Sequence, residues 1–263
     1  MKIENRMWRA GRESAGTREV AEEVPVALVY DASTEAVMMA TPDDLEDFAY
    51  GFSLNEGLIG AIDDVQKLDI VAGENGIEAR MWLKPERGQA VAARRRSRTG
   101  PTGCGLCGIE SLEDALRVRG RIEADLRLTP AEIIVAVGEM EDHQPLGRAT
   151  RAVHAAGLWQ PGEGMACVRE DVGRHNALDK LAGALARQAI DPRQGAVVLT
   201  SRVSVEMVQK VVAMGAPVLI AISAPTALAL QTADAAGLSV VAVARGDGFE
   251  VFTHARRIDS VRP

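Results

Sequence analysis

"AVVLTSRVSVEMVQKVVAMGAPVLIAISAPTALALQTADAAGLSVVAVA", residues 196–244, sets the architecture of the carboxyl-terminal half. Three short β-branched runs, "AVVLT" (196–200), "PVLIAIS" (217–223) and "LSVVAVA" (238–244), alternate with two stretches of helical length, each closed by a glycine. Strand–helix–strand–helix–strand at this spacing means βαβ units, hence parallel strands joined by right-handed crossovers. The expected result is an α/β domain in three layers, a sheet with helices on both faces. "EIIVAVGEM" (132–140) reads as a further strand of that sheet.

Parallel strands all end on one side, and ligands of such sheets lie outside those carboxyl ends. "TSRVS" (200–204), "SAPT" (223–226) and "ARGDG" (244–248) therefore share an edge. Thr200, Ser201 and Ser204, then Ser223 and Thr226, bring hydroxyls to helix N-termini, where backbone N–H groups favour anions. An anionic or nucleotide ligand is one reading of them; plain N-caps are the other.

Upstream the rhythm changes. Residues 1–23 form a polar arm, and "VPVALVYD" (24–31) with "TEAVMMAT" (34–41) reads as two strands on a short turn. In "TPDDLEDFAYGFSLNEG" Thr41 can cap a helix, Pro42 suits its first position, and Gly57 can end it. Leu45, Phe48, Ala49 and Phe52 give that helix one apolar face. "KLDIVAGENGIEARMWL" follows as a hairpin turned at Asn75-Gly76. The predicted organisation is the arm, a small α+β domain over 24–125, and the α/β domain over 126–263.

Composition narrows the function classes. The 263 residues are 47% hydrophobic and 25% charged, a soluble globular balance. A net charge of −7 argues against general nucleic-acid binding. The amino terminus lacks an apolar signal core, and no apolar run approaches the roughly 20 residues that span a bilayer, so a cytoplasmic protein is expected. Three cysteines, an odd count without a spaced framework, fit a reducing compartment.

Two of the three stand in "ARRRSRTGPTGCGLCGIES" (93–111) as Cys104 and Cys107. A structural zinc site needs four N or S ligands, and only Cys167 and four scattered histidines remain to complete one. A zinc nucleobase deaminase needs a Glu two positions after a His or Cys; Glu170 falls one residue late after Cys167. A thioredoxin-type pair normally opens a helix directly after a strand, whereas this pair follows an arginine-rich loop. The remaining reading is an activated thiol. Arg94, Arg95, Arg96 and Arg98 upstream, and a helix expected over "GIESLEDALRV", both lower a thiol pKa from about 8.5. Glycines at 100, 103, 105 and 108 leave the sulfurs accessible. Such a thiolate can take a sulfane sulfur and hold it as a persulfide; the arginines could equally be a solvated face or a protein-docking patch.

"REDVGRHNALDKLAGAL" (169–185) also has two readings. Leu178, Leu181 and Leu185 make an apolar helix face that Asn176 could cap, and Arg169, Glu170, Asp171, Arg174 and His175 can form a salt-bridged loop before it. Alternatively Arg174 and His175 stand beside nucleotide phosphates. Cys167 reads as a small buried residue.

Taken in order, "TPDDLEDFAYGFSLNEGLI", "GCGLCGIESL", "REDVGRHNALDKL", "TSRVSVEMVQKVVAMGAPVLIAISAPTALAL" and "GDGFEVFTHARRI" resemble successive blocks of the FdhD-type formate dehydrogenase accessory proteins, over about residues 24 to 258. The resemblance implies a sulfur carrier that takes sulfur from a cysteine desulfurase and passes it to the molybdenum cofactor, bis(molybdopterin guanine dinucleotide), for formate dehydrogenase. A chaperone that binds cofactor or apoenzyme without carrying sulfur is the rival. It implies a cytidine-deaminase-like carboxyl-terminal domain, Cys104 as persulfide carrier with Cys107 as its partner, and a homodimer. It also implies cofactor binding by Phe249, Glu250, Val251, Phe252, Thr253 and His254, with a GDP-like nucleotide as partial mimic and no resident metal. The chain departs from the family's pattern at Arg151 and Ala152, where many members read T-G-G-V-H, and at Thr102-Gly103, where many have Ser-Ser.

Overall fold

The computed structural model describes residues 1–97 and 120–259, with side chains 95–97 excepted. Cys104, Cys107, Arg98 and the helix expected over "GIESLEDALRV" lie outside the described residues. Secondary structure runs β1 (Lys2–Arg9), β2 (Arg12–Glu19), β3 (Val24–Tyr30), β4 (Ser33–Ala40), α1 (Leu45–Asn55), β5 (Val65–Gly73), β6 (Gly76–Leu83) and α2 (Pro85–Ser97). It resumes with α3 (Pro130–Asp142), α4 (Pro145–Thr150), β7 (His154–Gln160), β8 (Gly164–Asp171), α5 (Arg174–Arg187), β9 (Ala196–Leu199), α6 (Val205–Met214), β10 (Val218–Ala221), α7 (Ala227–Ala236), β11 (Ser239–Arg245) and β12 (Gly248–Val251).

The six-stranded sheet has the order β12-β11-β10-β9-β7-β8, with β9, β10 and β11 parallel as the spacing predicts. Successive residues of β9 serve opposite faces. Val197 and Leu199 join Leu178, Leu181, Met207, Val211 and Ala233 of α5, α6 and α7, while Ala196 and Val198 join Ile133, Val137 and Met140 of α3. Strands sandwiched this way must be apolar throughout, which is why they read as unbroken hydrophobic runs. Both crossover helices stop where expected: Gly215 and Gly237 take left-handed conformations, φ 83° and 79°, at their carboxyl ends.

Residues 132–140 are not a strand but most of α3. Ile133, Ala136, Val137 and Met140 recur at i, i+3, i+4 and i+7, and all four are buried. Thr129 and Glu132 close a reciprocal capping box around Pro130, so helical periodicity overrides the β-branched composition.

In the first half the order β4-β3-β6-β5 makes a four-stranded sheet whose inner face packs on α1 through Val26, Leu28, Tyr30, Phe48 and Met81. The hairpin of β5 and β6 turns on Glu74-Asn75, one residue earlier than expected, because Gly73 pairs with Gly76. Residues 1–23 are largely a two-stranded hairpin rather than a loose arm; Ala10 and Gly11 have φ 47° and 75°, which a tight two-residue turn demands. Arg94–Arg96 belong to α2 rather than to a loop.

Helix α1 starts at Leu45, three residues after Pro42, because Thr41 is committed elsewhere. Its amide donates to Asp171 Oδ2 (3.0 Å), its hydroxyl accepts from Val172 N (3.1 Å), and its carbonyl accepts from Lys180 Nζ (2.9 Å). The contact between α1 and α5 is the most extensive helix pair among the described residues. Gly51 and Gly183 permit it: a Cβ on either would drive into the facing backbone, at the Asp179 or the Asp47 carbonyl.

Candidate functional site

Strands β8, β9, β10 and β11 run in one direction and β7 against them, with His154 opposite Asp171 at its start. The carboxyl edge of the sheet therefore gathers the ends of β8, β9, β10 and β11, the start of β7, and the N-termini of α5, α6 and α7. Its floor is cross-linked. Val203 and Pro225 form a parallel bridge, Val203 N donates to the Ala224 carbonyl (3.3 Å) and Thr226 N to the Val203 carbonyl (3.0 Å). Thr200 joins the start of β7: its hydroxyl accepts from Ala155 N at 2.8 Å.

Most polar residues of "REDVGRHNALDK" are consumed by structure. Arg169 lies in β8, not a loop, and pairs with Asp47 at 2.7 Å; Glu170 accepts from Leu146 N and Gly147 N at the start of α4. Asp171 and Lys180 form a fully buried ion pair of 2.7 Å. Asp171 also accepts from Thr41 N, Gly173 N and Asn176 Nδ2, so its oxygens are saturated. Asn176 sits inside the first turn of α5 instead of capping it; Gly173 holds the cap position. Asp179 binds Lys210 (2.6 and 2.8 Å) and Asn55 (2.7 Å), and burial still pushes its carboxyl up against the pull of Lys210.

Arg174 and His175 remain. They open α5, and the Nε–H of Arg174 is buried with no hydrogen-bond partner. Burial, then the charges of Lys210 and Arg174, pull the His175 imidazole down to about 4. His154, half-buried at the start of β7, is lowered too, by burial and then by Arg174. Glu206 of α6 completes the group. Burial raises its carboxyl, but a 2.6 Å hydrogen bond from Ser204 and the neighbouring His175 and Arg174 bring it below its ordinary value. At neutral pH the two imidazoles are thus uncharged beside a guanidinium with an unmet donor, an arrangement suited to an incoming anion.

The hydroxyls chosen from the sequence divide. Ser201 is buried and donates to the Arg202 carbonyl; Thr226 is the N-cap of α7, accepting from Ala229 N at 3.3 Å; Ser223 stands at the same edge, its carbonyl accepting from Val243 N. The segment 249–254 is not all at that edge. Phe249, Glu250 and Val251 lie in β12, which runs back along β11. Thr253 and His254 reach the opposite, amino edge: Thr253 Oγ1 accepts from Val240 N (2.9 Å) and donates to the Leu238 carbonyl (2.7 Å). His254 Nε2 meets the Asp234 carbonyl at 2.8 Å, and the exposed Phe252 lies between the two ends. The structure therefore sets Arg174, His175, Ser201, Ser223 and Thr226 along one edge of the sheet, and Thr253 and His254 at the other.

Sequence reasoning passed over His154 and Glu206. His154 is the first residue of β7, and only the antiparallel pairing of β7 with β8 carries it to Arg174. Cys167 is buried, as expected; burial pushes its thiol up, against the pull of Arg169. Among the described residues no cluster of three or more His, Cys, Asp or Glu could hold a metal ion, and no helix is long and apolar enough to cross a membrane.

Fold and site together define a mixed α/β protein whose parallel strands end at a partly desolvated group of Arg174, His154, His175 and Glu206. The chain belongs to the FdhD/NarQ family, whose profile matches residues 21–259. It is 53% identical over 251 residues to the sulfur carrier protein FdhD of Agrobacterium fabrum, covering 95% of this chain and 93% of that one. Identity to the protein of the same name from Cupriavidus necator is 47% over 252 residues, 95% and 87% of the two chains. A crystal structure from Desulfotalea psychrophila, provisionally described as a formate dehydrogenase accessory protein, superposes with a TM-score of 0.79 at 26% identity, over 98% of this chain and 99% of that one.

Proposed function

We propose that the protein is a sulfur carrier supporting formate dehydrogenase. In this reading Cys104 thiolate attacks the terminal sulfur of a cysteine desulfurase persulfide. The S–S bond of the donor breaks, the desulfurase leaves as a thiolate, and Cys104 keeps the sulfane sulfur. Attack by Cys107 on the inner sulfur then releases it as hydrosulfide and leaves a Cys104–Cys107 disulfide, which a cellular dithiol reduces again. The acceptor is the molybdenum cofactor, bis(molybdopterin guanine dinucleotide), taken as substrate. Its nucleotide phosphates meet Arg174 and His175 at the carboxyl edge, with Ser201, Ser223 and Thr226 along the floor. The cytidine-deaminase-like description of the sheet, a cytoplasmic setting, a homodimer and sulfurtransferase activity belong to the same reading.

The observation that carries it is about 50% identity over nearly the whole chain to proteins named as sulfur carriers, combined with Cys104-Gly-Leu-Cys107 in this sequence. The unmet Arg174 donor supports the anionic acceptor. Incubation with a desulfurase and cysteine is expected to add one sulfur atom to the intact protein by mass spectrometry, and Cys104→Ala to abolish the gain. If the Cys104→Ala, Cys107→Ala double variant still restores formate dehydrogenase activity in cells lacking the wild-type protein, the carrier reading fails and a chaperone role replaces it.

A further inference from the structure

We propose that His154, Arg174 and His175 form a phosphate subsite whose occupation draws a proton from solvent onto one of the two imidazoles. The inference rests on the reading that the carboxyl edge holds a nucleotide phosphate, and adds to it a residue, His154, and a coupling to pH.

The geometry comes first. His154 at the start of β7 and Arg174 and His175 at the start of α5 arrive at one place because β7 pairs with β8 from His154↔Asp171 onward, and α5 follows β8 within three residues. Arg174 Nε is fully buried and unpartnered. A phosphate oxygen is the acceptor that suits it best, since charged acceptors make the stronger hydrogen bonds to guanidinium.

The charges around the imidazoles fix the direction of the coupling. His175 faces Arg174 on its own helix, Lys210 and Glu206 from α6, and Glu56 after α1; His154 faces Arg174. Lys210 is held by Asp179, and Glu206 accepts from Ser204. Burial and the neighbouring cations hold both rings below their ordinary pKa, which favours the neutral form. A phosphate dianion reverses the local field: it favours the imidazolium, which then donates from its ring nitrogen to a phosphate oxygen. A group protonated more readily in the bound state than in the free state takes up a proton on binding, so affinity rises as pH falls.

Calorimetric titration of the full chain with GDP, between about pH 6.5 and 8 where the terminal phosphate stays largely dianionic, reads this directly. In two buffers of different ionisation enthalpy the binding heat is expected to differ by a net uptake of up to about one proton. Kd is expected to weaken by up to about tenfold per pH unit upward. His154→Gln and His175→Gln should each reduce the uptake, while His143→Gln, an exposed histidine on the far end of α3, should not. GDP binding with buffer-independent heat in the wild type overturns the inference and leaves the nucleotide reading standing. Inorganic pyrophosphate binding with proton uptake, where GDP fails to bind, does the reverse. Binding of neither sinks both.

Discussion

Arg151 follows α4 in the left-handed region, φ 55°, a conformation that favours glycine. A side chain there costs about 1 kcal/mol that glycine avoids, partly offset by the greater freedom of glycine in the unfolded chain. Arg151 is exposed, so Arg151→Gly should lose no packing and raise the stability measured by urea denaturation by up to about 1 kcal/mol. His175 gives a second prediction. Its folded pKa of about 4 lies below the ordinary value of 6.5, so on acidification the unfolded chain binds a proton that the native chain refuses. Stability is therefore intact above pH 6.5 and lost as pH falls toward 4, by up to about 3 kcal/mol, with His154 acting in the same direction. His175→Gln should flatten that part of the profile in denaturation measured across pH. At this scale the sequence was legible where chemistry is local: Arg174 and His175 were visible as a charged pair at a helix start. His154 was not, since only strand pairing brings it to them. Nor could a list of charges show that Arg169, Asp171, Asp179 and Lys180 are spent on one another and on α1.

Helix α1 meets α5 at Gly51 and Gly183, and the backbones touch with nothing between them. Overpacking normally costs 1–3 kcal/mol, and here the obstacle is backbone that cannot rotate away. Gly51→Ala or Gly183→Ala should therefore destabilise by at least about 3 kcal/mol in chemical denaturation. The buried Asp171–Lys180 pair makes a related prediction. Lys180→Met leaves a carboxylate uncompensated at zero exposure, which costs about 3–5 kcal/mol. Replacing Asp171 as well should not restore stability, because Thr41 N, Gly173 N and Asn176 would lose their acceptor. The parallel strands and their helices were readable because apolar runs and closing glycines alternate at a fixed spacing. Helix α3 misled because Ile133, Ile134 and Val135 carry β propensity; the capping box at Thr129 and the burial period were the better signals. Helix α1 began late because Thr41 answers to a partner 130 residues away.

For the whole molecule, the two cores share a wall. Helix α1 belongs to the first core through Phe48 and Ala49, yet its other side lies on α5, tied by Arg187–Asp47 and Asn55–Asp179, with Arg169–Asp47 adding a tie to β8. Residues 24–97 and 126–259 should therefore unfold together, as one transition in calorimetry with coincident fluorescence and circular dichroism midpoints. Two separated transitions would show that the seam is weaker than its burial implies. The change in rhythm near residue 125 is what suggests two units in the sequence. Their fusion was illegible, because it depends on two glycines with no local reason to be glycine.

The bridge between Val203 and Pro225 has a consequence for timing. Where loops beneath an arriving molecule are already stitched together, docking need not wait for them to settle, and little freedom is forfeited on arrival. On the proposed function, loading at this edge should then proceed at a pace set by diffusion and charge, leaving any slow stage to events elsewhere.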